Sequence, residues 1–352
     1  MSPPGARSHP PVASRKCGVP GWLLRLANGG CDIWPGSLTV QYMPRFAERF
    51  GLMRPPNVLL TDDFRNGLDL TGTWALLSRP PSFVADDGVV SASDQGLHVK
   101  AAGTNPLTGE PAFSKTLPGS AADHVKWMAD TQHLSSNSVP GFDAVPGREL
   151  RCSMWARGQT FGTAAHPFGK AVTDPEEDLR LAAFALNTLD LETGMVFDVW
   201  MTNNAIYPYY ERLNLTGTAA YSAFSSVFPP VRRRPGEQVK VTVAYNRAAR
   251  VVRWLVDDME VARVSNIGFP AVDATTIIEH VGTPQLATPR QLNCGMALFT
   301  LLDGGLPPAD TGLVSLEPPY AFPTAFAGGP NLFGQGAELR VERFEITSVN
   351  ES

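Results

Sequence analysis

Between Glu149 and Leu302 the chain repeats one pattern: short apolar runs of strand length, broken by Gly, Asn or Asp, with no sustained 3.6-residue period. Residues 149–158 (ELRCSMWARG) alternate apolar and polar, the signature of a strand with two different faces. Residues 179–188 (LRLAAFALNT) are almost continuously apolar, as a central strand covered on both sides would be. Residues 195–214 read as a hairpin turning at Asn203-Asn204. Residues 239–264 read as a three-strand meander with turns at Asn246-Arg247 and Asp257-Asp258. Residues 293–305 form another strand, and residues 337–347 close the chain with an imperfect alternation of Leu339, Val341, Phe344 and Ile346 that predicts a bulge or twist. Strands spaced this way, with turns between them, specify an all-β sandwich or barrel.

The rest of the chain fits one such domain with an extension. Residues 1–55 begin with a Pro- and Ser-rich stretch that cannot bury enough apolar surface to order itself, and residues 37–53 could form a short amphipathic helix. We expect this segment to be poorly ordered, and residues 56–352 to form a single sandwich. Hydrophobic residues make up 43% of the 352-residue chain, enough for a sizeable core, so the 32 Gly and 31 Pro point to turns and not to disorder. Residues 103–148 are rich in Pro and Gly and read as long loops. Cys17, Cys31, Cys152 and Cys294 form no CxxC pair, and the last two sit inside apolar runs as small hydrophobes, so no disulfide framework is indicated.

Three pieces resemble concanavalin A-like lectin and glucanase domains of the jelly-roll kind. They are the opening residues 62–74 (DDFRNGLDLTGTW), the Trp-containing meander at 239–264 and the closing strand at 337–347. The resemblance spans residues 58–347 and implies an antiparallel β-sandwich with long loops. The whole chain also resembles an uncharacterised actinobacterial family through TGEPAF, DHVKWMA, HPFG and YERL segments, which implies no activity. Retaining glucanases of the jelly-roll fold carry Glu-x-Asp-x-Glu on one strand, so that two carboxylates flank the glycosidic bond. The matching strand here is residues 196–200, where Asp198 is present but Val196 and Trp200 occupy the glutamate positions. That argues against the glucanase mechanism.

Alternation assigns the candidate site. Phe197, Val199 and Met201 should enter the core, leaving Asp198 and Trp200 on the opposite face. On the partner strand Tyr207, Tyr209 and Glu211 share a face. Residues 149–158 turn Cys152, Met154 and Ala156 inward and Trp155 and Arg157 outward. A concave surface carrying Trp155, Arg157, Asp198, Trp200, Tyr207, Tyr209 and Glu211 is therefore expected, with aromatic walls and a few convergent polar groups. Asp198 among aromatic rings would have a raised pKa and act as general acid or base, or be a structural acid paired with an Arg. Glu211 and Tyr209 are further candidates for proton transfer, against a cross-strand ion pair and ordinary packing. His124 and Lys126, two residues apart, and His166 before Pro167 complete the candidate set, each also readable as a loop fastening.

Several classes are disfavoured. No HExxH, P-loop, GxGxxG or GxSxG spacing is present, so neither a cofactor nor a transition metal is expected. Asp62, Asp63 or Asp257 leave a structural calcium site open. The net charge of −5 does not suit nucleic acid, and residues 232–234 (RRR) read as a solvated loop. No apolar run is long enough to span a membrane, and no secretory signal is evident, so a cytoplasmic location is expected. The expected function is a cofactor-independent enzyme on a small molecule, of lyase, isomerase or cyclase type, in actinobacterial specialised metabolism. The alternatives are a lectin-like glycan-binding module, or a polysaccharide lyase or hydrolase without the usual glutamate pair.

Overall fold

The computed structural model describes residues 56–79, 83–115, 124–215, 223–279, 282–301 and 332–350. The extension expected over residues 1–55, its helix, Cys17, Cys31 and Asp123 lie outside them. The strands in chain order are β1 (Asn57–Asp62), β2 (Trp74–Leu76), β3 (Gly88–Ser93), β4 (Gly96–Ala101), β5 (Val125–Thr131), β6 (Arg148–Phe161), β7 (Ala183–Asp190) and β8 (Met195–Met201). They continue with β9 (Ala205–Arg212), β10 (Phe224–Val227), β11 (Val239–Asn246), β12 (Val251–Val256), β13 (Met259–Val264), β14 (Thr275–Glu279), β15 (Gln291–Phe299) and β16 (Gly336–Asn350). Very short strands, two residues each, supplement these.

Two large antiparallel sheets result. The first runs β13-β12-β11-β6-β16-β4-β3, with β1 also on β16. The second runs β2-β5-β15-β7-β8-β9-β10-β14. The strands that bracket the chain, β1 and β16, pair with each other, and β6 lies between β11 and β16. The protein is an antiparallel sandwich of the concanavalin-like jelly-roll kind. No helix among the described residues is long and apolar enough to cross a membrane.

The core forms where the alternation of the two sheets meets. Cys152, Met154 and Ala156 of β6, Val241 and Val243 of β11, and Leu339, Val341, Phe344 and Ile346 of β16 face Phe184 and Leu186 of β7, Phe197 and Val199 of β8 and Tyr210 of β9. Each large apolar side chain buried this way contributes roughly 1.5–3 kcal/mol. The irregular alternation of the last strand has a definite cause: Trp155 pairs with Arg343 but Ala156 with Val341, so Glu342 is an extra residue in a bulge. The meander turns as expected at its second corner, where Asp257 and Asp258 both have positive φ, 48° and 65°.

Polar links also cross the core. The Trp254 indole of β12 donates from Nε1 to the Asp198 carbonyl of β8 at 2.9 Å. Cys152 of β6 and Cys294 of β15 are joined as a disulfide with Cα atoms 6.3 Å apart. The small-hydrophobe reading of these cysteines captured their burial but missed their bond, because a pairing between two sheets is invisible in linear spacing. A second correction concerns residues 103–148, which contain β5, a fully buried strand between β2 and β15. A third concerns residues 232–234. Arg233 is buried, and its guanidinium donates to the carbonyls of Thr202, Gly158 and Glu237 while lying 5.2 Å from the Phe184 ring centroid. Burial pushes its pKa down to about 10. Asp62, a candidate calcium ligand, instead accepts from Phe64 N and Trp74 Nε1, both at 2.8 Å.

The disulfide closes a loop of 142 residues. Removing such a cross-link enlarges the unfolded ensemble and should cost about 2–5 kcal/mol. Urea denaturation of the Cys152→Ala/Cys294→Ala double variant should show that loss. Alkylation of the unreduced, unfolded wild-type chain should leave both cysteines unlabelled, and labelling of both would refute the bond.

Candidate active site on the second sheet

The second sheet is apolar on both faces. On the side away from the core, Met128, Ala183, Ala185, Val196, Trp200, Tyr209, Ala297 and Phe299 form a separate buried cluster. Because both faces are covered, β7, β8 and β15 read in sequence as near-continuous apolar runs. Polar side chains on this face therefore stand out physically, since each must be satisfied without bulk water.

They form a row. Asp130 of β5 pairs in register with Gly295 of β15, and Gly295 with Asn187 of β7. Asp198 of β8 pairs with Tyr209 of β9, and Tyr209 with Val227 of β10. The β7–β8 ladder runs to Leu186↔Val199 and resumes at Leu189↔Val196, which sets Asn187 level with Asp198. In the gap, the Thr188 amide donates to Asp198 Oδ1 at 2.7 Å. Trp200 Nε1 donates to the other carboxylate oxygen at 3.1 Å. At one end of the row Asn187 Nδ2 donates to Asp130 Oδ1 at 3.0 Å. Asp130 can lie across β15 because position 295 is glycine; a Cβ there would stand 2.1 Å from Asp130 Oδ1.

Glu211 sits one register step along β9, directly opposite Val196. Ser225 donates a hydrogen bond to it, and the Tyr209 hydroxyl makes another. Neither carboxylate takes the structural partner considered in sequence: Asp198 is not paired with an Arg and Glu211 is not in an ion pair, among the described residues. Asp198 and Asp130 are only 2% and 8% exposed, so solvent stabilises neither charge. Burial pushes Asp130 up to about 6 and Glu211 up to about 7. Burial also holds Asp198 well above the usual carboxylate range; the Thr188 and Trp200 hydrogen bonds oppose that shift, and the charges of Glu211 and Asp130 add to it. Three carboxyls with separated proton affinities suit acid/base chemistry.

Beside the row stands a column of stacked rings. Trp200 lies between Tyr209 (4.8 Å, 12°) and Phe299 (4.2 Å, 11°), and Phe299 stacks on His124 at 6.1 Å. The column fixes the Trp200 indole that donates to Asp198. Tyr207 is close by on β9, with its hydroxyl donating to the Glu177 carbonyl at 3.0 Å. Lys126 lies on β5, where its Nζ donates to the Lys115 carbonyl at 2.6 Å. His166 is set apart, in the loop between β6 and β7, with Nδ1 accepting from the Phe168 amide at 3.1 Å. Burial lowers its pKa.

Trp155 and Arg157 do not belong to this surface. They project from β6, in the first sheet, on the side away from the core. The outer faces of two stacked sheets point in opposite directions, and the core separates them. Trp155 is held there between Lys240 and Arg343, with Nζ and Cζ 4.9 and 3.8 Å from the ring centroid, and Arg157 donates to Gln95. Conversely, Asp130, Asn187 and Ser225 were not found in sequence. Asp130 was hidden because β5 was read as loop; an acid flanked by apolar residues at strand spacing, as at Asp198, was the available signal. Among the described residues no group of three or more His, Cys, Asp and Glu could hold a metal ion.

The chain belongs to DUF6081, a family of unknown function, whose model matches residues 61–350. An uncharacterised protein of Acanthamoeba polyphaga mimivirus, L829, is 23% identical over 288 residues, covering 63% of this chain and 61% of the viral protein. The chain thus matches less than two thirds of that relative's length. An endo-1,3-β-glucanase from Streptomyces sioyaensis is similar in structure at 15% identity and a TM-score of 0.44, over 84% of this chain and 97% of the enzyme. A glycoside hydrolase family 16 endo-glucanase from Bacteroides ovatus is similar at 9% identity and a TM-score of 0.43, over 82% of this chain and all of the enzyme (100%).

The raised carboxyls make an inverted pH dependence of stability. In the unfolded chain Asp130 and Glu211 release protons near their ordinary values of 3.8 and 4.5, whereas the folded chain keeps them to about 6 and about 7. Their contribution is fullest below pH ~4 and is lost as pH rises through the folded values. Thermal melts should therefore show the wild type losing stability between about pH 4 and pH 7. Asp130→Asn and Glu211→Gln, which mimic the protonated forms, should each flatten part of that slope. A slope unchanged in both variants would contradict the shifts.

Proposed function

We propose that the outer face of the second sheet cleaves a glycosidic bond, with Asp198 as general acid and Glu211 as general base. The observation that carries this reading is the position of Glu211. The strand that matches the glucanase motif lacks a carboxylate at Val196, and Glu211 stands directly beside Val196 on the neighbouring strand. Diagonal neighbours of this kind lie about 7–8 Å apart at the backbone. Carboxyl pairs separated by roughly 5–9.5 Å serve the two classes of glycosidase. Asp198, whose hold on a proton burial strengthens, would donate its proton to the leaving-group oxygen. Glu211, near neutrality, would take the proton of the water that adds to the sugar carbon. Asp130 and Asn187 would tune Asp198 through the row. The core disulfide also favours an oxidising compartment, in which extracellular glycans are met, over the cytoplasm expected where no secretory signal was evident.

The second reading is the cofactor-independent lyase, isomerase or cyclase acting on a small molecule. The burial of Asp198, Trp200 and Tyr209 favours it, because an enclosed acid suits a small substrate better than a polymer. It uses the same Asp198 and Glu211.

Release of reducing sugar from a panel of β-glucans, galactans and chitin oligosaccharides tests the first reading. Asp198→Asn and Glu211→Gln should each lower turnover by about 10²–10⁴-fold. For the wild type, kcat/KM should fall as pH drops below about 7, where Glu211 gains its proton, and that limb should vanish in Glu211→Gln. Full activity in Asp198→Asn would remove Asp198 from the mechanism. A wild type that cleaves no glycan of the panel would leave the small-molecule reading standing in its place.

A further inference from the structure

An edge strand carries unpaired N–H and C=O groups, and it is a template for another strand unless it is short, charged, proline-bearing or bulged. Most of the described edge strands are closed in one of these ways. β2 is three residues long. β13 carries Glu260 and Arg263 and meets β12 through an irregular register at Trp254 and Leu255. β14 meets β10 through an irregular register between Ser225 and Ser226. β1, which lies along part of β16, is irregular between Val58 and Leu60. β3 has none of these devices. Its six residues, Gly88-Val89-Val90-Ser91-Ala92-Ser93, include no charge and no proline, and they pair with β4 without a break in register.

The core-side face of β3 is open as well. Gly88, Val90 and Ala92 pair with Ala101, Val99 and Leu97 of β4, which are buried in the core. Val90 is nevertheless 38% exposed, and Val89 on the other face is 47% exposed. Beside the strand runs a groove of about 310 Å³ lined by Leu68, Leu70, Leu76, Val90, Ala92 and Trp127. The charged residue of its lining, Asp86, is already paired with Lys115 at 2.6 Å. Strand and groove together offer a ladder and an apolar floor to an incoming neutral strand. The charge pattern selects a second copy of this chain. Antiparallel pairing about a two-fold axis sets a strand against itself, so a charged strand meets its own charges, whereas β3 has none to meet. With Ser91 on the axis, Val90 faces Ala92 of the copy, Val89 faces Ser93, and core-side residues stay on the core side. Asp94 then faces Gly88 and Asp87 faces Gln95, so no acid opposes an acid.

We propose that the protein forms a two-fold dimer in which the β3 strands of two copies pair antiparallel about Ser91 and join their first sheets into one. The dimer stands whether or not the carboxyl row is catalytic.

Sedimentation equilibrium of the full chain tests it, and should show the mass of two chains at high concentration and dissociation on dilution. Ser91→Lys changes an exposed side chain and sets like charges on the axis, so it should leave the melting temperature near that of the wild type and raise the dissociation constant about tenfold or more. Ser91→Glu should do the same. An equimolar mixture of the two variants should associate again, because pairing through residue 91 sets lysine against glutamate. Met259→Lys, exposed on the opposite edge of the first sheet, should associate as the wild type does. The mass of a single chain at every concentration up to about 100 μM, the result expected if β3 takes a foreign peptide instead, would overturn the proposal. So would wild-type association in both Ser91 variants, failure of their mixture to associate, or loss of association in Met259→Lys.

Discussion

Burying both faces of one sheet governs most of what this molecule can do. A sheet in a two-layer sandwich normally turns one face to the core and the other to water, and its strands alternate accordingly. Here β7, β8 and β15 carry apolar side chains on both sides, so any acid on the outer side is removed from water. A lone carboxylate in that setting is costly unless it is hydrogen-bonded or takes a proton. Asp198 is hydrogen-bonded, its oxygens accepting from Thr188 N and Trp200 Nε1, and burial raises its proton affinity. The electrostatics of the candidate site are thus consequences of layer packing.

That packing also requires the outer row to be held from inside the core. The Trp254 indole ends on the Asp198 carbonyl, so the residue whose carboxyl faces out is fixed by a side chain of the opposite sheet. The Phe197 ring beside Asp198 meets Trp254, Tyr210 and Tyr245. A carboxyl placed this way has little freedom to relax toward a better partner. In the proposed reading, this fixed carboxyl is the acid of the site.

Period-two alternation made a large part of this legible. It assigned the inward and outward faces of β6, β8 and β9, placed the turn near Asn203 and indicated the bulge in β16. What it could not give is which sheet a strand joins. Trp155 and Asp198 both read as outward, and only the pairing of β6 with β16 and of β8 with β9 shows that their outward directions oppose each other. The same non-local information was needed to join Cys152 to Cys294. The strand β5 escaped because Pro- and Gly-rich neighbours dominate its surroundings, and Asp130 escaped with it. Glu211 was found as a residue, but its relation to Val196 depends on register between strands.

That relation bears on how a carboxyl pair can be built on a sheet. Two residues on the same face of one strand are about 6.6 Å apart, and facing residues on adjacent strands about 4.8 Å apart. A side chain anchored opposite Val196 can therefore bring its end near the place that a side chain at 196 would have reached. Glutamate has the length to span the difference, and Ser225 and the Tyr209 hydroxyl hold its end. In the resemblance drawn from the sequence, Val196 and Trp200 stand in the glutamate positions of β8. In the proposed reading, Trp200 is a hydrogen-bond donor to Asp198 and the second carboxyl comes from β9. A strand motif alone is therefore too narrow a criterion for excluding acid/base chemistry on such a sheet, because the sheet presents a two-dimensional array of positions and the chain samples only one direction of it.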